Sequence, residues 1–291
     1  MPTPQQIAEF QETVWRYYDQ HGRHDLPWRQ PQPTPASPVS GAHNQPKIFD
    51  PYAIMVSELM LQQTQVARVI PKFEAFMAKF PNAKTLAQSP LADVLKMWSG
   101  LGYNRRAKFL WQAAGKVEQE FGGQMPATQS ELTQLPGVGA NTAGAIATYA
   151  YNQPVVFIET NIRSVFIHHF FADHEQVSDA DIAQVVAVAL PPEQTNREWY
   201  WALMDYGTHL KQTLGNHARR STTYARQSKF EGSRRQVRGA VLRVLGAPPG
   251  LLALADLRAE ITDERLESVL HDLQTEGMIE LRNKHYQLAS S

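Results

Sequence analysis

Cysteine is absent from all 291 residues. No disulfide framework, thiolate zinc site, iron–sulfur cluster or cysteine nucleophile is therefore open to this chain. The apolar runs fall well short of the roughly 20 residues a membrane helix requires, and no charged-then-apolar leader opens the sequence. The expectation is a soluble, cytoplasmic protein without a lipid anchor. Net charge is missing as well, since 28 basic side chains balance 28 acidic ones. Hydrophobic residues make up 43% and charged residues 19%, an ordinary globular composition that excludes wholesale disorder. The length suffices for two compact domains without covalent staples.

The charge that is present is unevenly spread. Over residues 210–243 the basic side chains Lys211, Arg219, Arg220, Arg226, Lys229, Arg234, Arg235, Arg238 and Arg243 face only Glu231. From 246 to 281 the sign reverses, with Asp256, Glu260, Asp263, Glu264, Glu267, Asp272, Glu276 and Glu280 against Arg258 and Arg265. A basic stripe beside an acidic module points to a polyanionic partner, with a solvated linker as the plainer alternative.

Proline, serine and glycine cluster over residues 30–46, which reads as a surface loop. Beyond Asp50 the hydrophobic period is helical almost throughout. Ser89-Pro90 reads as a helix start with serine at the N-cap, Leu91, Val94, Leu95 and Trp98 follow at helical spacing, and Gly100 and Gly102 stop the run. Ile182, Val185, Val186 and Ala189 repeat the pattern before Pro191-Pro192. Short, closely spaced helices predict an all-α architecture. The tail differs: a helix over 238–245, a second striped by Leu266, Val269, Leu270 and Leu273 and closed by Gly277, then two short strands around Asn283-Lys284. Helix, helix, hairpin outlines a winged-helix-like α+β module.

Leu135-Pro136-Gly137-Val138-Gly139 sits between two helical segments. Two glycines in a tight hairpin let main chain approach a phosphate, and the helix that follows offers amide donors, a contact that reads no base sequence. A plain helical corner is the alternative. In Ser57-Glu58-Leu59-Met60-Leu61-Gln62-Gln63-Thr64-Gln65-Val66 a carboxylate heads an apolar run and three glutamines follow. Taken alone, Glu58 is a surface helix residue, and the glutamines are polar filler or amides able to pair with bases.

These two motifs, with Gly100-Leu101-Gly102-Tyr103 and Leu26-Pro27-Trp28-Arg29, occur in an order that resembles the helix-hairpin-helix (HhH-GPD) DNA glycosylase superfamily. The closest resemblance is to its A/G-specific adenine DNA glycosylase branch, the MutY type, from about Phe10 to about Gly207. The resemblance implies a two-lobed all-α fold. One six-helix-type lobe spans 51–152 with the hairpin, and a second joins 1–29 to 153–228. The Pro-rich segment at 30–50 is an insertion, and the winged-helix-like tail occupies 235–291. It implies a monomeric, monofunctional N-glycosylase of base excision repair that acts on double-stranded DNA and flips the target nucleotide out of the stack.

Adenine leaves poorly until a ring nitrogen is protonated, and a second carboxylate is wanted for the cationic sugar. By resemblance Glu58 is the acid, and its apolar neighbours favour a raised pKa. Glu159, in Ile158-Glu159-Thr160-Asn161, takes the second position, where the family has aspartate. Glutamate is a poor N-cap, so Thr160 is expected to cap the next helix. Asn161 matches a residue that orients water and sugar. Asn141 stands where bifunctional relatives carry a Schiff-base lysine, so strand cleavage by that route is not expected. Leu26, Trp28 and Arg29 match the base pocket, and Asp205 the adenine edge. Gln63 and Tyr103 match wedge residues, Tyr103 being otherwise a turn aromatic, and Leu135, Gly137, Val138 and Gly139 match the phosphate-binding hairpin.

Two departures stand out. The four-cysteine cluster of the branch is missing, and in its place run residues 209–227, without a metal-ligand set. The resemblance leaves room for one monovalent cation on hairpin carbonyls and no other cofactor. Arg219 and Arg220 are the expected replacement DNA contacts. The tail is also too short for a Nudix-like lesion reader. Rival readings are a glycosylase for thymine, uracil or hypoxanthine, and a non-catalytic binder of DNA structure.

Overall fold

The computed structural model describes residues 1–31, 49–192 and 195–290, so most of the Pro-rich segment, residues 32–48, lies outside the described residues. In chain order the helices are α1 (Pro4–His21), α2 (Pro51–Leu61), α3 (Val66–Lys79), α4 (Ala83–Ala87), α5 (Leu91–Trp98), α6 (Arg105–Glu120), α7 (Gln129–Leu132), α8 (Ala140–Tyr151), α9 (Thr160–Phe170), α10 (Asp179–Val188), α11 (Asn196–Thr213), α12 (Arg234–Gly246), α13 (Leu254–Glu260) and α14 (Leu266–Thr275). Short 3-10 turns occupy Pro27–Arg29 and His217–Arg220. The strands are β1 (Leu251–Ala253), β2 (Ile279–Arg282) and β3 (His285–Leu288). The chain folds into two compact units. The first comprises Met1–Ile54, Ala127–Gln134 and Val138–Arg226, the second Met55–Pro126, Leu135–Gly137 and Gln227–Ser291. Contacts thus place the boundary inside the hairpin, where the sequence pattern places it after residue 152.

In the first unit α1 starts on a capping box, Thr3 accepting from the Gln6 amide while Gln6 reaches back to the Thr3 amide. Phe10, Val14 and Tyr18 recur every fourth residue and are buried. The ring of Phe10 meets Phe166 of α9 at 5.2 Å and Trp199 of α11 at 5.8 Å. Helix α8 is buried along the whole of Thr142 to Ala150, which its small side chains permit. A Cβ on Gly144 would stand 2.8 Å from the Cβ of Phe157.

The second unit packs Phe76 and Phe80 of α3 and its C-terminus around Trp98 of α5, with Leu86 and Leu110 buried beside them. Helix α5 begins at Leu91, with Pro90 at the N-cap position. The predicted serine cap is therefore wrong: Ser89 Oγ donates 2.7 Å back to the Thr85 carbonyl and finishes α4 instead.

The tail completes the second unit and has the expected outline, with two additions. Helix α12 is longer than its apolar stripe suggests, and β1 and α13 precede α14. The sheet order is β1-β3-β2, antiparallel throughout. All four predicted stripe residues of α14 are buried. Asn283 and Lys284 both take positive φ, 49° and 65°, which is the turn a two-residue hairpin favours.

Candidate functional site

Glu58 lies in the last turn of α2, half-buried, between fully buried Ser57 and the fully buried pair Leu59 and Met60. The helix ends at Leu61, so the glutamines leave it and form the turn into α3. Gln63 is exposed with φ +59°, and Tyr103, half-buried, has φ +46°. Left-handed backbone is strained for such residues and persists only where the surroundings impose it.

Arg106 imposes it on both turns. Its guanidinium donates to the carbonyls of Leu59 at 2.6 Å, Met60 at 2.9 Å and Gln62 at 2.6 Å, closing the C-terminus of α2. The same group donates to Thr64 Oγ1 at 3.1 Å and to the Leu101 and Gly102 carbonyls at 3.2 and 2.9 Å. Burial pulls its pKa down to about 10, which leaves it cationic at neutral pH. The hydroxyl of Tyr103 accepts from Gln227 Nε2 at 2.5 Å and from Arg235. Neither Arg106 nor Arg235 is marked by local sequence pattern, because the residues from Leu59 to Thr64 that Arg106 holds lie 42 to 47 residues away and the Tyr103 hydroxyl that Arg235 holds lies 132 residues away.

In the hairpin, Leu135 and Val138 are buried, so these side chains anchor the loop while its main chain is what remains to meet a phosphate. Gly137 has φ +78°, and a Cβ there would lie 2.7 Å from Phe109 Cβ and 3.2 Å from Leu59 Cδ2. Only glycine fits. Gly139 is the N-cap of α8 and provides no capping side chain. A glycine in that place leaves room for other groups to approach the start of the helix.

Asn141, in the first turn of α8, grips the main chain at Ile158. Its Nδ2 donates to the carbonyl at 3.1 Å and its Oδ1 accepts the amide at 3.4 Å. The next residue, Glu159, is the N-cap of α9 but makes no capping hydrogen bond with its side chain, and Thr160 is already helical, so the expected transfer of the cap to Thr160 does not occur. Glu159 is half-buried. Burial pushes its carboxyl above the usual carboxylate range, opposed by Arg163 and the Thr160 amide. Arg163 shares its charge with Asp179, at 2.8 and 2.7 Å. Asn161 turns its amide toward α11, donating to Met204 O at 3.2 Å and Thr208 Oγ1 at 3.1 Å, and accepts from Lys211 at 3.4 Å. The helices meet closely here, since a Cβ on Gly207 would lie 2.5 Å from the Asn161 carbonyl oxygen.

Leu26, Trp28 and Arg29 are all buried, and so is Asp205. The fork of Arg29 is taken by Asp205, NH1 to Oδ2 at 2.8 Å and NH2 to Oδ1 at 3.0 Å, with the guanidinium 5.3 Å from the ring of Trp201. Arg23, unforeseen in sequence, adds its main-chain amide and its guanidinium to the same carboxylate, the closest at 2.5 Å. Burial alone would raise the Asp205 pKa, but the bonds and charges of Arg29 and Arg23 prevail and hold it below the ordinary range. Arg29 Nε remains buried without a partner. A buried carboxylate needs cations, and that is the signal by which Arg23 was accessible to reasoning.

Arg219 is exposed, as a DNA contact requires. Arg220 has a different task from the one expected. Its guanidinium donates to the carbonyls of Phe171 at 2.9 Å, Ala172 at 2.8 Å, His174 at 3.1 Å and Ile167 at 3.2 Å, capping the C-terminus of α9. Ser164 and Asn216 bond the Ala218 amide at 3.2 Å each, Val177 bridges Ser221, and His217 packs 4.8 Å from His168. The 209–227 stretch is thus held by hydrogen bonds and packing. Among the described residues no group of His, Asp or Glu is arranged to hold a metal, and no helix is long and apolar enough to cross a membrane.

Residues 56–187 match the HhH-GPD superfamily of base excision DNA repair proteins. The chain is 33% identical over 281 residues to the adenine DNA glycosylase of Mycolicibacterium smegmatis, covering 91% of this chain and 90% of that one. With the adenine DNA glycosylase of Mycobacterium tuberculosis the figures are 34% over 294 residues, 92% and 90%. The fold is similar to that of a thermostable thymine-DNA glycosylase, with a TM-score of 0.56 at 21% identity over 70% of this chain and 86% of that one. It is also similar to endonuclease III in a non-covalent DNA complex, with a TM-score of 0.52 at 17% identity over 73% and 87%. The likeness at both levels, nearly full-length in sequence for the first two, means that this chain belongs to the adenine DNA glycosylase family of helix-hairpin-helix base excision repair proteins.

Proposed function

We infer that this protein hydrolyses the bond between adenine and deoxyribose in double-stranded DNA. The observation that carries the reading is the kinship with adenine DNA glycosylases over nine-tenths of both chains. The residues supply a chemistry for it. A flipped adenine is protonated on a ring nitrogen by Glu58 as the C1′–N9 bond breaks and its electrons pass to the base. The sugar cation that remains is stabilised by the Glu159 anion, whose backbone is fixed by Asn141 through Ile158. Water adds to C1′ and yields its proton to a carboxylate. The free base and an abasic site result. Asparagine at 141 has no nucleophilic amine, so the strand stays intact until alkali is added.

The Arg23–Arg29–Asp205 triad rigidifies the base-pocket residues in this reading, and Arg29 Nε is the donor left for the base. The enzyme acts as a monomer without a thiolate-bound cluster, for which the chain has no ligands. The test is single-turnover release from duplexes carrying A opposite 8-oxoguanine, A opposite G, T opposite G, U opposite G and hypoxanthine. Adenine should be released, and Glu58→Gln should lower that rate by at least about 10²-fold while binding persists. Release of thymine or uracil alone would replace the substrate, and normal excision by Glu58→Gln would remove the acid.

A further inference from the structure

The second unit contains a groove of about 710 Å³ that no catalytic residue enters. Its walls are the two left-handed turns at Gln63 and Tyr103 and one face of α12 with the segment leading into it. Arg68, Arg235 and Arg243 line it, and no carboxylate does. That is unusual for this tail, whose balance from 246 to 281 is strongly acidic. The arginines of α12 divide by face. Arg234 is paired with Asp272 of α14 at 2.6 Å and Arg238 with Glu276, which also takes Arg105 at 2.6 Å. Arg235 and Arg243 point to the groove instead. Gly239 and Ala240 keep that face shallow, and a Cβ on Gly239 would meet nothing within 4 Å. Phe230, 57% exposed, sits on the groove wall as an unburied aromatic.

Guanidinium groups without carboxylates, one exposed aromatic ring and amide side chains are the equipment of a nucleic-acid strand site, phosphates on the cations and a base on the ring. We propose that this groove binds one strand of the DNA. The winged-helix-like module would then join the DNA surface through its first helix, α12. The helix that usually reads DNA in such modules is unsuited here, since α14 carries Glu267 and Asp272 and no lysine or arginine. The proposal rests on the glycosylase reading for the identity of the polyanion. It assigns the module a contact that the reading alone does not.

The test is equilibrium binding of the full chain to a fluorescent duplex containing A opposite G, across a salt series. Arg235→Ala with Arg243→Ala should make the slope of log K against log salt less steep by about 1.4 to 1.8, the loss of two phosphate contacts. Phe230→Ala, at an exposed position, should weaken binding about tenfold with the slope unchanged. Arg258→Gln with Arg282→Gln removes the same charge from exposed positions elsewhere in the tail and should leave the slope as it is. An unchanged slope in the groove variant overturns the proposal, and so does an equal change in the control, which would make the effect one of net charge. Adenine release by the unsubstituted chain is measured in parallel. Its failure would reject the glycosylase reading while the binding data still judged the groove.

Discussion

At Glu159 the proposed mechanism and the stability of the fold make opposite demands. Its carboxyl is desolvated, so its pKa in the folded chain lies above the ordinary value of 4.5. The native state therefore holds that proton more tightly than the unfolded chain, and at neutral pH the ionised side chain is a cost to folding. The proposed reaction needs the anion. Glu159→Gln should accordingly raise the urea midpoint at pH 7 while lowering single-turnover adenine release about 10² to 10³-fold. The acid limb of the unsubstituted enzyme's rate profile should lie above pH 4.5 for the same reason. A variant that excises normally would take Glu159 out of the mechanism, and one that is less stable would show its desolvation to be compensated. The position was legible in sequence because the motif around it was. Its environment was not, because Asn141 reaches it across 17 residues through the main chain of Ile158.

At the scale of elements, the 209–227 stretch is fastened to α9 by hydrogen bonds and ring packing. Arg220 closes α9, and three histidines, His168, His169 and His217, lie against one another beside it. Burial lowers the pKa of all three, that of His169 to about 4, with the neighbouring histidines adding to the effect for His169, Arg220 for His168, and His168 and then Arg220 for His217. A histidine kept neutral in the fold takes up its proton only in the unfolded chain between pH 6.5 and about 4, so its contribution to stability rises with pH across that window, against the opposite and separate contribution of Glu159. Urea midpoints should fall as pH is lowered from 6.5 to 4, and His169→Gln, which can still bond the Tyr206 hydroxyl, should reduce the fall. Equal pH dependence in the two proteins would refute the assignment. In sequence this stretch reads as a departure from the four-cysteine pattern, and Arg220 as a DNA contact. Nothing local distinguishes an exposed arginine from one that caps a helix some fifty residues earlier. Helices with an apolar stripe, such as α5 and α14, were legible for the opposite reason, since period alone defines their buried face. The three-residue β1 was not legible, because it exists only by pairing with β3.

At the scale of the molecule, the question is whether the tail is an appendage or part of the second unit's core. Its first helix buries Val237, Val241, Leu242 and Leu245, and both α12 and β3 pack on α5. The Leu91 amide, at the start of α5, donates to the Ser290 carbonyl at 3.3 Å. Arg105 and Lys108 of α6 reach Glu276 and Gly277 after α14. Each fully buried Val or Leu contributes about 1.5 to 3 kcal/mol, and a domain's whole margin is about 5 to 15 kcal/mol, so these contacts are too large a share to lose. A chain ending at residue 226 should therefore melt well below the full chain, bind a dye for exposed apolar surface and excise poorly, because Tyr103 would also lose Gln227 and Arg235. An appendage predicts the reverse: the shortened chain would keep its melting temperature and its excision rate, and only affinity for DNA would change. Thermal unfolding followed by near-ultraviolet circular dichroism separates the two, since Trp98 of α5 lies in the core that the tail covers and would report its loosening directly.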